Sequence, residues 1–230
     1  MLDIHTHILP GMDDGSRSVR ESLEMLRTLR GQGVDTVVLT SHFYAEEEDP
    51  DSFLERRQKA YDRLVSGMDG DDYPKLLLGA EVCYYIGVSR TEGIERLCIE
   101  GTPLLMLELP KTHWDRSTLE ETIELATDGR VIVLLAHIDR YLEYNKLDIF
   151  EMLSMRGALM QINAGFAENR KNRRMLKSLF RSGLVQFIGT DCHGMDIRTP
   201  RIAPALEMIG RYAGDDGLSA LDFYEEEFFV

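Results

Sequence analysis

The sequence predicts an α/β fold: a small or distorted (β/α)-barrel of about seven units, in one domain spanning residues 1–230. Three observations point there. Short apolar, β-branched runs recur along the chain, amphipathic segments of helical period separate them, and no sequence repeat or linker interrupts the alternation. Near-continuous apolarity over a few residues suits strands buried on both faces, as in a parallel sheet. A doubly wound open sheet would satisfy the same alternation. The length of 230 residues, a little short of the roughly 250 that eight units occupy, fits seven units in a small barrel.

Residues 1–4 read as the first strand. Residues 18–30 form a helix with Val19, Leu23, Leu26 and Leu29 on one face, stopped by Gly31-Gln32-Gly33. The second strand is 36–39, followed by an acidic loop, 45–50, and a helix over 51–65. A second acidic loop at 69–72 precedes the third strand, 76–78; both loops are expected to be solvated surface. The fourth strand, 104–107, precedes a helix at 117–126. The fifth, 131–135, precedes one at 148–156. The sixth, 158–162, precedes one at 170–181. The seventh, 185–188, precedes one at 203–212. Gly157 and Gly183 each sit between a helix and the next strand, a common αβ turn. Residues 222–230 are expected to form a peripheral tail.

The charge narrows the function. Twenty-six Lys and Arg against 40 Asp and Glu leave a formal −14, which argues against nucleic acid and against anionic lipid. No apolar run approaches a membrane span, so no membrane insertion is expected. The N-terminus carries Asp3 and two histidines and has no basic flank, unlike a signal peptide, so a cytoplasmic location is expected. Cys83, Cys98 and Cys192 are odd in number and scattered, which is no disulfide framework.

Five of the six histidines fall at or just beyond a strand's C-terminal end: His5 and His7, His42, His137 and His193. Glu81, Glu108 and Asp191 occupy equivalent places. In a parallel barrel these ends share one mouth, so residues spread along the whole chain converge. Side chains at i and i+2 of a strand point the same way, so His5 with His7, and Asp191 with His193, can each grip an ion. Imidazole with carboxylate suits Zn²⁺, Mn²⁺ or Fe²⁺. A lone histidine at such a position is usually a core or loop residue; five at once, with three carboxylates costly to bury unpaired, are not explained that way. His113 reads as surface. Asp13-Asp14-Gly15 reads as a turn in which one Asp caps the following helix while the other ligates. Cys192 to Arg198 spells C-x5-R, the pattern of thiolate-dependent tyrosine phosphatases, but it arises easily by chance and Asp191 would raise the thiol's pKa.

The segment D-I-H-T-H-I-L-P-G-M-D-D-G at 3–15 resembles the opening motif of the PHP (polymerase and histidinol phosphatase) superfamily. Within it, the chain is most similar to bacterial CpsB/CapC-type tyrosine-protein phosphatases of capsule and exopolysaccharide operons. T-S-H at 40–42, G-A-E-V at 79–82, L-E-L-P at 107–110, A-H-I-D-R-Y at 136–141 and G-T-D-C-H at 189–193 extend the likeness to about residue 200. The resemblance implies a distorted (β/α)7 TIM-like barrel holding three divalent ions, Mn²⁺ foremost, with Fe or Zn as alternatives. It assigns His5, His7, Glu81 and Asp191 to the first ion, Glu81, Glu108 and His137 to the second, and Asp14, His42 and His193 to the third. Arg140 and Arg198 would clamp the phosphate, with Arg201 as the competitor for the second place. Phe43 and Asp139 depart from the family's commoner residues. The implied reaction is hydrolysis of phosphotyrosine by a metal-activated hydroxide, on a partner such as a bacterial tyrosine kinase tail; homo-oligomerisation is left open. The alternatives are a PHP-type small-molecule phosphomonoesterase of the histidinol-phosphate kind and a non-catalytic, metal-stabilised regulatory module.

Overall fold

The structure, a computed structural model, describes residues 1–70 and 72–230; Asp71, in the second acidic loop, lies outside the described residues. Among the described residues, nine strands form a curled, wholly parallel sheet: β1 (Leu2–Thr6), β2 (Thr36–Leu39), β3 (His42–Phe43), β4 (Lys75–Leu78), β5 (Glu81–Cys83), β6 (Leu104–Glu108), β7 (Ile132–Leu135), β8 (Leu159–Asn163) and β9 (Phe187–Gly189). β1, β2 and β4 pair in that order, and so do β3, β5, β6, β7, β8 and β9. The two groups join where a chain bends rather than ends. Thr40-Ser41 separates β2 from β3 and Gly79-Ala80 separates β4 from β5, while the Gly79 and Glu81 amides donate to the Leu39 and Thr40 carbonyls across the bend. Sequence reading ends these strands at residues 39 and 78 and misses β3 and β5, because two or three residues are too few to show a period.

At the other seam β9 comes alongside β1. The Asp191 amide donates to the His5 carbonyl at 2.8 Å and the His7 amide to the Cys192 carbonyl at 2.9 Å. Gly189 makes this approach possible: a Cβ there would lie 2.5 Å from the His5 Cβ and 3.0 Å from its backbone nitrogen.

Helices α1 (Val19–Arg30), α2 (Pro50–Ser66), α3 (Arg116–Thr127), α4 (Leu147–Ser154), α5 (Ala164–Glu168), α6 (Arg173–Arg181), α7 (Ala203–Ala213) and α8 (Asp215–Phe229) complete the fold. Their starts follow local chemistry. Ser18, Asp49 and Asp115 each accept a hydrogen bond from the amide three residues on, and Pro50 takes the first helical position of α2. Ser18 is therefore the cap of α1, and neither Asp13 nor Asp14 caps it. The larger core lies between sheet and helices, around Leu26, Leu39, Phe53, Leu107, Phe150 and Leu179. A smaller one gathers Leu2, Ile4, Val38, Met106, Leu134 and Phe187, with Tyr224, Phe228 and Phe229 of α8 packed against it. Residues 222–229, expected at the periphery, thus lie against the sheet, and Glu225 accepts from the Leu2 amide and pairs with the N-terminus. No described helix is long and apolar enough to cross a membrane.

Candidate metal centre

β1 delivers His5 and the residue beyond its end, His7; β3 delivers His42; β5, Glu81 and Cys83; β6, Glu108; the turn after β7, His137; the loop after β9, Asp191 and His193. All five strand-end histidines of the sequence reading therefore meet, whereas His113 is exposed and its Nδ1 donates to the Tyr144 carbonyl.

Glu81 is the hub. Its Oε2 lies 3.2 Å from His5 Nε2, 3.2 Å from His7 Nε2 and 3.1 Å from His42 Nδ1. Its Oε1 lies 2.9 Å from His137 Nε2, which is also 3.3 Å from Glu108 Oε1. Asp191 Oδ1 stands 3.7 Å from His5 Nε2 and 3.5 Å from His7 Nε2. On the outer side, Asp14 Oδ1 is 3.2 Å from His193 Nε2 and 3.7 Å from His42 Nε2. Overlapping groups result that could each hold an ion: His5, His7 and Glu81; Glu81, Glu108 and His137; His7, Asp14, His42 and His193. A further group, His42, Cys83 and Glu108, brings in Cys83, which the sequence reading missed. Its only sequence signal is the i+2 spacing from Glu81.

The donor set fits divalent ions on physical grounds. Glu81 Oε2 and His193 Nε2 are buried, face these clusters and have no hydrogen-bond partner. Such orphans cost about 1–3 kcal/mol each unless something satisfies them. His5 Nε2 and His7 Nε2 also face each other at 3.2 Å, a contact in which one ring must surrender its proton or both must point at a shared cation.

Neighbouring groups fix the rings. His5 Nδ1 donates to Gln161 Oε1 and His7 Nδ1 to Asp13 Oδ2 at 2.8 Å, leaving both Nε2 atoms toward the centre. His193 Nδ1 donates to the Asp191 carbonyl. Gln161 Oε1 also accepts from the His137 amide. Asp13 accepts from the His42 amide as well, so this residue aims two histidines while Asp14 faces the ligand cluster. Asp3 accepts from the Thr190 amide and hydroxyl and fastens the β9 exit. Of these partners sequence reading singles out Asp13 alone, as a helix cap or ligand, while Gln161 and Asp3 are strand residues with no distinguishing pattern. Gly15 packs so closely that a Cβ would lie 2.2 Å from the His7 carbonyl.

Burial and charge set the protonation of the metal-free cluster. Burial alone would drive Glu81 up, but the facing His5, with the His137 hydrogen bond and the nearby His7, holds it well below the carboxylate range. Asp191 is likewise lowered, burial being outweighed by His5, His7 and Arg140. Burial opposes charge on His7 and His137, yet the Asp13 bond pushes His7 up to about 10, and the Glu108 and Glu81 bonds push His137 up to about 9. His193 is lowered to about 4 by burial and by the neighbouring His7.

Two arginines border the cluster. Arg140 pairs with Asp191 Oδ2, and Arg198 Nη2 donates to Asp14 Oδ2 at 3.0 Å, with Asp191 Oδ1 3.6 Å from its Nη1. Arg201 instead pairs with Glu168 at 2.7 Å. All three line one cleft of about 480 Å³ together with Asn163, Phe166 and Asp191. His137, Asp191 and Arg198 are the non-glycine residues with left-handed backbone among the described residues, at φ 29°, 52° and 49°. Such strain persists where surroundings over-determine it, and here it gathers at one site.

Cys192 does not suit a thiolate mechanism. It is fully buried, its carbonyl is bound to His7, and burial, reinforced by Asp3 and Asp191, holds its thiol well above the ordinary range.

A sequence model of the family described as "Capsular polysaccharide synthesis, CpsB/CapC" matches residues 1–227. The chain is 27% identical to the tyrosine-protein phosphatase YwqE of Bacillus subtilis over 224 residues, 94% of this chain and 86% of that one. Among solved structures it is similar to one from the work on YwqE of Bacillus subtilis and CpsB of Streptococcus pneumoniae, described as unique metal-dependent tyrosine phosphatases. The TM-score is 0.82 at 26% identity, over 98% of this chain and 93% of that one. The zinc-bound histidinol phosphate phosphatase of Lactococcus lactis shares the fold, at TM-score 0.53 and 14% identity, over 97% and 93%.

Proposed function

The chain belongs to the CpsB/CapC family, and from that premise we propose that it is a metal-dependent protein-tyrosine phosphatase of capsule or exopolysaccharide synthesis. The observation that carries this reading is the convergence of five histidines and four carboxylates on the Glu81 hub, beside a cleft lined by three arginines. The centre would take three divalent ions: His5, His7, Glu81 and Asp191 would hold the first, Glu81, Glu108 and His137 the second, and Asp14, His42 and His193 the third. A mixed imidazole and carboxylate set suits Mn²⁺, Fe²⁺ or Zn²⁺, and the family resemblance puts Mn²⁺ first. When bound, such ions supply Lewis-acid charge and acidify water to near neutrality.

The chain's own residues do the rest. Arg140 and Arg198 exchange their carboxylate partners for the phosphate oxygens, a task suited to the planar guanidinium fork. Phe166, half-buried in the same cleft, offers an apolar face to the phenyl ring of phosphotyrosine. Asp13 and Gln161 keep His7 and His5 in the tautomer that presents Nε2. The whole chain acts as a single cytoplasmic domain whose architecture is a distorted seven-unit barrel, and its substrate is a phosphorylated protein such as a bacterial tyrosine kinase.

Metal content and phosphotyrosine-peptide turnover, measured before and after chelation, test this. Turnover should vanish on chelation and return with Mn²⁺; turnover that survives complete metal removal would refute it. The histidinol-phosphate alternative has only the shared fold behind it, and a higher kcat/KM on histidinol phosphate than on phosphotyrosine peptide would favour it.

A further inference from the structure

The negative charge of the molecule is unevenly spread. Between Glu168 and Asp191 the chain has no carboxylate, although it carries 40 elsewhere. That stretch holds Arg170, Lys171, Arg173, Arg174, Lys177 and Arg181, all exposed. Elsewhere surface cations are commonly paired, as Arg27 is with Asp69 and Arg96 with Asp51; among the described residues these six make no ion pair. Arg173 and Arg174 also occupy the first turn of α6, which contains no acid. The helix dipole favours the opposite charge there. A local preference broken without compensation inside the chain marks a surface shaped by function.

This basic edge is fastened to the candidate active site. Phe166 lines the cleft with Arg140, Arg198 and Arg201, and its carbonyl accepts from Asn172 Nδ2 at 2.9 Å. The turn bearing Arg170, Lys171, Arg173 and Arg174 is thereby tied to the wall where phosphate would dock.

Resting on the phosphatase reading above, we propose that this edge binds an acidic stretch flanking the phosphotyrosine of the substrate protein, and so sets specificity for anionic segments. The complementarity is local. A peptide meets only the edge, whereas an anionic membrane would meet a body of formal charge −14. Single exposed charges contribute little, but several of one sign along one path raise encounter rate and lower KM, in a salt-dependent way.

Two peptides with the same residues around phosphotyrosine, one flanked by Asp and Glu and one by Ser and Gly, test this on the metal-loaded protein. At low salt the acidic flank should be preferred by about tenfold in kcat/KM, through KM, and the preference should shrink several-fold near 0.5 M salt. The charge reversal R170E/R173E/R174E should abolish the preference, and the milder R173A/R174A should reduce it. p-Nitrophenyl phosphate, which has no flank, reports folding and the metal centre in each variant. Equal kcat/KM on both peptides in the unmodified protein, or a preference that survives charge reversal, would overturn the inference while leaving the phosphatase reading intact. Turnover of neither peptide would overturn both.

Discussion

Glu81 joins groups that would otherwise be separate: one oxygen faces three imidazoles and the other faces His137. Glu81→Gln keeps the shape and removes the charge, so it should cost at least about 100-fold in turnover and release metal, as measured by kinetics and elemental analysis. Asp13→Asn touches no phosphate, yet it deprives His7 Nδ1 of its carboxylate acceptor; metal affinity should fall about 10–100-fold, with kcat at saturating Mn²⁺ largely recovered. His7 and His137, with values near 10 and 9 in the metal-free cluster, are protonated at neutral pH. Because these values lie above the unfolded 6.5 or so, their contribution to metal-free stability is complete below about pH 6.5. It is lost as pH rises through about 9 and 10. Thermal melts of the chelated protein should therefore fall across that window, and metal uptake at pH 8 should release protons measurable in weak buffer. At this scale the sequence was most legible: eight of the nine ligand candidates are reactive residue types at strand ends, and Asp14 lies in the turn after the first strand. Gln161 and Asp3 were illegible because their importance lies in which partner faces them across the sheet, and Asp13, though visible beside Asp14, carried no sign that it would hold His7 instead of capping α1.

Strand and helix alternation was legible because buried parallel strands read as apolar runs and each helix keeps its apolar face. What escaped were short pieces, β3, β5 and α5, and the last helix. In α8, Leu218, Leu221, Tyr224 and Phe228 do recur at helical spacing, but the acids between them obscured the signal. Removing residues 215–230 would uncover Phe187 and the smaller core and leave the N-terminus without Glu225. A loss of several kilocalories per mole is expected from the burial of two or three aromatic side chains, visible as a large drop in melting temperature even with metal bound. Gly189→Ala acts at the β1–β9 seam. Its methyl would meet the His5 backbone, so a cost of about 1–3 kcal/mol is expected, together with weakened metal binding because the displaced strand carries a ligand.

The whole molecule carries a formal −14, an awkward charge for a protein that must bind phosphate esters. Asp14, Glu81, Glu108 and Asp191 concentrate part of it at the site, and Arg140 and Arg198 are occupied by two of them. Divalent ions would reverse that local balance and free the guanidinium groups. Calorimetry should accordingly show phosphate binding to the metal-loaded protein at least about tenfold tighter than to the chelated one, with the difference shrinking in high salt. Equal affinity in both states would contradict it. The closure of β9 onto β1 has a consequence in time as well as in space. His5 leaves the ribosome 188 residues before His193, the last of the candidate ligands in the chain, so no nascent chain can assemble the complete centre until His193 has emerged. At about 5–20 residues per second that delay is on the order of 10–40 s. Full metal capture is thereby deferred until the β9 exit has emerged, and a translation product truncated before His193 has no competent centre with which to act on a phosphoprotein.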